Sequence, residues 1–568
     1  MVAAFQQYVT RLRQFTRAPS CSRSVVVARH MRVAGLKPSK HQSISNSAMA
    51  AAPPVVLIVG CGLAGLMAAF EAGTTLQGGG ARVIAIDKQS KGGGNSVRAS
   101  SGLSASRTSW DTDNFYEDTM RSCGMLCNPD LVSKLVEGST EVLPFLESIG
   151  VDLPFQHQLG GHSFSRTWAP RAGEPIGLHL YSRVEKKVKV LPNVELRFGQ
   201  KLVGIDLDED TGAVVAASIL KVPSLAGTLP KRVPCSAIVV ASGGYAGNAE
   251  ALMLNGAFDA SRAGATSNGA QASGDALAAI LASTPAAAVD LDQVQFHPTG
   301  FVGDLTQEGS TAGLKKSILC PEAWRGAGAI LISPRTGRRF VDELGQRDLI
   351  TAAINDQAGG SAWIVLPPDA VAAAEDAEAT SGVATSILGE GFYERLGLAQ
   401  RVPCSGGLAA LAAAMEVPLS ALDAEMGHYD ALVEDASALS AFVDTTLVGP
   451  AVECPVTAKC VFPAPMVATT RSPTSSWVVA RVQPVAHYCM GGLAIDTHAR
   501  VLDGHRNPIP GLFACGEATG GIHGENRLAG NSLTECVVFG REAGRGAAEY
   551  AGAAACAGAA LGLCSAAF

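Results

Sequence analysis

One stretch, VVLIVGCGLAGLMAAFEAGTTLQGGGARVIAID at residues 55–87, limits the possible folds more than any other. An apolar run of strand type, Val55–Val59, meets Gly60, Gly62 and Gly65, then a helix-period segment, a glycine turn and a second apolar run ending at Asp87. That pattern predicts a βαβ unit built to hold a dinucleotide. Gly60 permits the tight turn, Gly62 lets the backbone approach a pyrophosphate, and Gly65 lets the helix pack closely on the strands. The helix opening at Leu63 and Ala64 offers free N–H groups and a positive dipole end to phosphates. Asp87, followed by Lys88, falls about 20 residues past the last glycine, where a carboxylate accepts hydrogen bonds from a ribose. The fingerprint alone does not separate FAD from NAD.

A chain of 568 residues divides into two or three domains. No stretch reaches the roughly 18 unbroken apolar residues of a spanning helix, so no stable membrane insertion is expected. The net charge of −7 and the lack of a basic stripe interleaved with aromatics argue against a nucleic-acid partner. Fourteen cysteines are scattered without paired spacing and read as reduced, mostly buried thiols. Cys123 and Cys127 have no second Cys or His pair nearby in sequence, so no metal is expected. With no haem-attachment or iron–sulfur spacing, electrons handled here must pass through an organic cofactor.

Residues 1–50 carry Arg11, Arg13, Arg17, Arg23, Arg29, Arg32, Lys37 and Lys40, many serines and no acid; the first is Glu71. Residues 1–52 therefore read as an organelle transit peptide, with a disordered basic tail as the plainer alternative. Composition does not separate mitochondrion from plastid; the mitochondrion is the preferred reading. After Asp87, a loop rich in glycine and small polar side chains (Gly94, Asn95, Ser96, Ser100, Ser101, Gly102) is able to lie flat against a planar ring. Helical periodicity over 112–150 ends at Gly150, and short alternating strands follow residue 167 through Val222, with a hairpin turn at 208–212. The run 237–244, ending Ser242-Gly243-Gly244, is a third strand of the nucleotide-binding sheet, and Gly274-Asp275 opens a helix. The texture changes near residue 290. Residues 292–488 form an inserted domain with helices at 369–379 (capped by Asp369), 408–415 and 419–434. The first domain, 53–291, resumes over 489–553 with a strand near 511–517 and a helix from Ser532 to Ala553; 554–568 is a low-complexity, frayed tail.

Five stretches concentrate groups that bind anions or move protons: QFHPTG (295–300), EAWR (322–325), QRD (346–348), HYCMGG (487–492) and GGIHGENRLAGNS (520–532). Taken singly, each has a bland structural explanation. In order and spacing, together with GGNSVRASSG and GGHSFSRT, they resemble one family over about Val55 to Ala547. This is the soluble, yeast-type, NADH- or FADH₂-linked fumarate reductases, within the flavoproteins that include succinate dehydrogenase.

The resemblance implies an α/β fold: a Rossmann-like FAD-binding domain interrupted by an α+β capping domain, with the flavin at their junction. It implies FAD held non-covalently, because the loop at 95–101 lacks the histidine that membrane-bound relatives attach to flavin. Gly516-Glu517 matches the second FAD motif, and Asn531, Ser532 and Leu533 open a helix aimed at the flavin's pyrimidine edge. Lys88 and Asp275 join the implied FAD-binding set. His487 and Arg527 resemble the clamp on one substrate carboxylate, and His297 the binder of the other. Arg347 matches the proton donor, with Glu322 and Arg325 as the relay that reprotonates it; those two share a face if the stretch is helical. Two departures stand out. Pro321 replaces a substrate-touching Thr of the flavocytochrome members, and Trp168 replaces a His of some relatives. The resemblance further implies a small dicarboxylate substrate, NADH or reduced flavin as donor, and a soluble monomer. The alternatives are reduction of another small enoate such as urocanate, a dicarboxylate or amino-acid oxidase, and a flavin protein without turnover.

Overall fold

The computed structural model describes residues 53–78, 80–171, 174–225, 227–256, 264–303, 314–381, 391–440, 465–467 and 475–565. The leader expected at 1–52 lies outside them. In chain order, the elements that position the site are β1 (Val55–Val59), α1 (Leu63–Thr75), β2 (Arg82–Asp87), β3 (Val194–Phe198), β4 (Ala237–Val240) and β5 (Val294–Phe301). They continue with α2 (Glu322–Gly326), α3 (Arg347–Asn355), β6 (Ser476–Cys489), β7 (Arg500–Leu502), β8 (Pro508–Ala514) and α4 (Asn531–Ser565).

The first sheet has the order β7-β8-β4-β1-β2-β3, parallel except for the antiparallel edge strand β7. Its central strands are near-continuous Val, Ile and Ala because both faces are covered. One cover is the pair α1 and α4, which pack backbone to backbone: a Cβ on Gly540 would stand 2.8 Å from the Ala64 carbonyl oxygen, and one on Gly544 2.4 Å from that of Ala68. The Ala/Gly richness of both helices follows from this close approach. The strand order switches direction at β1, with β2 and β3 added on one side and β4 on the other, so a crevice opens at the carboxyl ends of these parallel strands.

The second sheet is built on β6, a 14-residue strand buried along most of its length. It pairs antiparallel with β5, Ala362–Leu366 and Ala399–Pro403, and parallel with Ala265–Thr266. β5 bulges on both sides of the Phe296-His297 pair, whose partners are Ala486 and Val485. Bulges of this kind re-aim side chains. Here they bring His297 beside His487 at the carboxyl end of β6.

Four local expectations change. The segment after residue 167 holds a helix, Ile176–Lys189, where strands were expected; Ile176, Leu180, Val184 and Val188 form its buried i, i+4 stripe. The periodicity over 112–150 resolves into three helices, Ser109–Cys123, Pro129–Ser139 and Val142–Ser148, parted where Gly124 turns at φ +67° and Asn128 caps the next helix. Asp369 sits inside the first turn of Pro368–Ser381 rather than ahead of it, so its charge meets the dipole without capping. Finally, α4 continues to Ser565 instead of fraying after residue 553. Among the described residues no single helix is long and apolar enough to cross a membrane.

Candidate active site

A cavity of about 660 Å³ begins in the crevice at the ends of β1, β2 and β4 and runs to His297 of β5 and the carboxyl end of β6. Most residues expected to hold a dinucleotide border it. Gly60, Gly62, Leu63 and Ala64 line the glycine turn, and Asp87 and Lys88 the end of β2. The following loop contributes Gly94, Asn95, Ser96, Ser100, Ser101 and Gly102; Ser242, Gly243, Asp275, Glu517 and the α4 residues Ser532 and Leu533 complete the set. The walls suit the group. Gly60 holds φ +106°, a conformation that favours glycine, and a Cβ there would strike the Ala241 carbonyl oxygen at 2.3 Å. At Gly62 the nearest atom to an added Cβ is Ser96 Oγ at 3.4 Å, so this glycine keeps space open rather than filling it. Asp87 uses one oxygen to accept from Cys61 N at 2.9 Å and the other from Gln89 N at 2.8 Å, with further lone pairs left for a ribose. Lys88 Nζ pairs with Asp275 Oδ1 at 2.7 Å, and Lys201 with its other oxygen at 2.9 Å.

Four expected cofactor residues do not border the cavity, and each has a packing or bonding role instead. A Cβ at Gly65 would lie 1.9 Å from the Gly60 carbonyl oxygen, and one at Gly244 2.7 Å from Cys489 Sγ. Gly516 turns at φ +68° against Ala64. Asn531 is buried and donates to Thr119 Oγ1 at 3.3 Å. Trp168 is likewise structural, its indole donating to the Ala105 carbonyl at 2.9 Å.

At the far end of the cavity, five residues from distant parts of the chain converge: His297, Glu322, Arg347, His487 and Arg527. Arg325 stands behind them, bordering a second cavity of about 40 Å³ that Glu322, Arg347 and Arg527 also line. α2 is helical, so Glu322 and Arg325 do share a face, with Nη2 donating to Oε1 at 3.1 Å. Arg347 opens α3 and donates to the same oxygen from Nε at 2.9 Å and Nη2 at 2.7 Å. The rings of His297 and His487 meet edge to face, centroids 5.3 Å apart. Thr299 N donates to His297 Nδ1 at 3.3 Å, so the neutral ring carries its hydrogen on Nε2. Nε2 lies 3.8 Å from Glu322 Oε1. Arg527 stacks its guanidinium 4.5 Å over the Tyr488 ring, whose hydroxyl donates to Glu535 at 2.6 Å.

Three further residues hold this cluster in place, and none was singled out in the sequence for that work. Gln295 accepts from Arg347 Nη1 at 3.1 Å and donates to the Arg527 carbonyl at 3.1 Å, tying the two arginine segments together. Ser267 Oγ is 2.8 Å from His487 Nδ1, and Asn268 donates to the His487 carbonyl at 3.0 Å. Gln295 stood within a flagged stretch; Ser267 and Asn268, some 220 residues from their partner, carried no signal beyond being small and polar.

Burial shapes the charges. It would raise the Glu322 carboxyl, but the adjoining Arg347 and Arg325 charges overcome it and hold that group well below the usual carboxylate range. Burial, then the Arg347 charge, lowers His297; burial, then His297 and Arg347, lowers His487, so both rings are neutral at pH 7. Burial and the neighbouring Arg347 bring Arg527 down to about 10, still a cation at neutral pH. Three guanidiniums against one carboxylate leave the cluster with two positive charges in excess, flanked by two neutral imidazoles. That is the complement of a small dianion.

Known proteins resemble this chain along most of its length. Residues 55–533 match the family described as FAD binding domain. A fumarate reductase of Schizosaccharomyces pombe is 31% identical over 510 residues, covering 86% of this chain and 88% of the relative. A cytochrome-type fumarate reductase of Shewanella frigidimarina is 30% identical over 534 residues, covering 90% and 80%. Among solved structures, the open conformation of a flavocytochrome c3 fumarate reductase superposes with a TM-score of 0.63 at 29% identity, covering 88% of this chain and 79% of that one.

Proposed function

The chain belongs to the FAD-binding flavoprotein family of the fumarate reductases and is an FAD-dependent oxidoreductase, and from that premise we propose that it reduces fumarate to succinate with Arg347 as the proton donor. The observation that carries this reading is the convergence of His297, His487, Arg527 and Arg347 on one cavity, backed by Arg325 so that three guanidiniums outnumber the one carboxylate of the cluster by two. A dicarboxylate dianion meets that excess. Arg527 and His487 grip one carboxylate, Arg527 presenting parallel N–H donors; His297 donates to the other from Nε2. Drawing electron density into one carboxylate makes the alkene carbon β to it, the far one of the two, electrophilic. Bound FAD, once reduced by its electron donor, would supply the hydride for that carbon.

Arg347 gives a proton to the other carbon. A guanidinium is a poor acid at pH 7, but one bonded twice to Glu322 loses its proton in concert with the electron shift and regains it at once. Glu322 takes the replacement proton from Arg325 and returns it to Arg347. Pro321 precedes α2 with no hydroxyl, so no side-chain bond to substrate comes from that position.

FAD binds in the long arm of the cavity without a covalent link, on Gly62, Asp87, Ser96, Ser242, Glu517 and the start of α4; brief acid precipitation should release it whole. NADH or a reduced flavin is the donor, the enzyme is a soluble monomer, and residues 1–52 direct it to an organelle, the mitochondrion before the plastid. Residues 292–488 act as a capping domain over the FAD-binding segments 53–291 and 489–553. The deciding experiment for the activity is anaerobic stopped-flow of the photoreduced enzyme against fumarate, urocanate, crotonate and methacrylate. Rapid reoxidation by fumarate alone supports the reading; preference for urocanate or a monocarboxylate would reverse it.

A further inference from the structure

A neutral imidazole exists as two tautomers, and only one of them lets His487 bind an anion. Nδ1 of this ring lies beside Ser267, so Nε2 is the nitrogen left for a ligand in the large cavity that both residues line. With its hydrogen on Nε2 the ring donates to a carboxylate; with the hydrogen on Nδ1 it turns a bare lone pair toward that anion. Ser267 follows the two-residue strand Ala265–Thr266, whose Thr266 pairs with Ala486 of β6, so its hydroxyl stands against the next residue of β6. Oγ is 2.8 Å from His487 Nδ1. The hydroxyl has one hydrogen to give, and its other acceptor within reach is the Ala486 carbonyl at 3.3 Å. That carbonyl already accepts from Ser267 N at 3.0 Å and from Thr266 Oγ1 at 3.0 Å, which fills its two lone pairs. The hydrogen therefore goes to Nδ1, the shorter contact, and the ring's own hydrogen sits on Nε2. His297 is set the same way by a backbone donor, Thr299 N.

We propose that Ser267 is a positioning residue for the substrate: its hydroxyl, donating to Nδ1, locks His487 in the tautomer whose Nε2–H grips a carboxylate. This rests on the dicarboxylate reading of the site. The two imidazoles then bind the dianion as neutral donors, and the guanidiniums alone supply the charge. The lock is separable from the fold. Asn268 holds the His487 backbone by itself, donating to its carbonyl at 3.0 Å, and is in turn bonded by Asn95 of the glycine-rich loop. Loss of the Ser267 hydroxyl therefore frees the tautomer of His487 without freeing its strand.

Succinate binding to the oxidised holoenzyme, read as a perturbation of the flavin spectrum, should weaken about tenfold in Ser267→Ala, with KM for fumarate rising in step and kcat falling by less. Ser267→Thr keeps the hydroxyl and should restore both. In His487→Gln the side-chain amide donates whatever stands at 267, so adding Ser267→Ala to it should cost nothing further. That non-additivity separates control of a tautomer from mere packing. Nitrogen NMR of isotope-labelled histidine rings reads the tautomer directly, the His487 signals being those lost in His487→Gln. Nδ1 should be bare in the wild type and partly protonated in Ser267→Ala. A wild-type ring with its hydrogen on Nδ1, an unchanged succinate affinity in Ser267→Ala, or an equal further loss in the double variant overturns the lock. The parent reading fails separately. Wild-type enzyme that neither binds succinate nor is reoxidised by fumarate removes the dicarboxylate, while the ring nitrogens still decide the tautomer; wild-type enzyme that does both, beside a Ser267→Ala that binds as tightly, removes only the lock.

Discussion

Glu322 holds Arg347 through a single oxygen, Oε1, which accepts from Nε at 2.9 Å and Nη2 at 2.7 Å. The other oxygen accepts only a long bond from Ser101 Oγ, at 3.3 Å, among the contacts within the cluster. One carboxylate oxygen thus fixes the plane of the guanidinium, and in the proposed mechanism it is also the site through which a proton returns to it. Glu322→Gln keeps an acceptor of the same shape but removes the charge and the ability to carry the proton. It should retain FAD and fumarate affinity within a few-fold while kcat falls about 10²–10⁴-fold. Steady-state kinetics check this; a loss confined to KM would reduce Glu322 to a substrate-orienting group.

Arg347 itself makes a sharper prediction. Arg347→Ala should fold, bind FAD and show the oxidised flavin spectrum, because the residue touches the substrate end of the cavity and not the glycine turn. Fumarate reduction should drop by at least the same 10²–10⁴-fold. Arg347→Lys should not rescue it, since an ammonium cannot hold Glu322 by two donors and Gln295 by a third in one plane. Absorbance at the flavin maximum and single-turnover reoxidation by fumarate measure the two halves; near-normal rates in either variant would move the acid elsewhere.

The glycine turn separates two functions that the motif runs together. Gly62 borders the cavity with its nearest neighbour at 3.4 Å, whereas an added Cβ at Gly65 falls 1.9 Å from the Gly60 carbonyl oxygen. Gly62→Ala should therefore leave the stability of the apoprotein within about 1 kcal/mol and weaken FAD binding alone. Gly65→Ala forces α1 off β1, costs about 1–3 kcal/mol or more, and loses FAD as a consequence. Thermal melts with and without added FAD distinguish the two; equal destabilisation of the apoproteins would contradict the division.

Much of this architecture was legible because its signals are local. The strands β1, β2 and β4 show as apolar runs, and α1 as a helix period between glycines whose spacing has one steric solution. The residues that line the far end of the cavity drew notice for a different reason: QFHPTG and HGENR are bland taken singly, but with the other clusters they keep the order and spacing of one family. Distances were not legible. That His297 faces His487 depends on two bulges in β5, and a bulge is a register event no single-strand pattern reports. Ser267 and Asn268 became visible only once Ala265–Thr266 was seen paired to β6. The helix Ile176–Lys189 carried its i, i+4 stripe in the sequence, yet its neighbours are genuine strands and hid it. The small cavity has no trace in sequence, since five separate segments of the chain enclose it.

Glu517 gives the protein a calculable response to pH. Burial raises its carboxyl from 4.5 to about 7, although Cys489 N donates to Oε1 at 3.0 Å and opposes the shift. Below pH 4.5 both the folded and the unfolded chain keep this proton. Between 4.5 and about 7 the unfolded chain releases it first while the native carboxyl still holds it, so the native state binds more protons and stability falls as pH rises. Above about 7 the loss is complete, at about 3 kcal/mol. Glu517→Gln keeps an acceptor for Cys489 N and cannot ionise, so its stability should not share this decline. Melting wild type and variant in parallel from pH 4.5 to 8 isolates the one group from all others that titrate. The difference should be smallest at the acid end and grow in the variant's favour toward pH 8; parallel curves across that range would mean that Glu517 stays ionised in the folded protein.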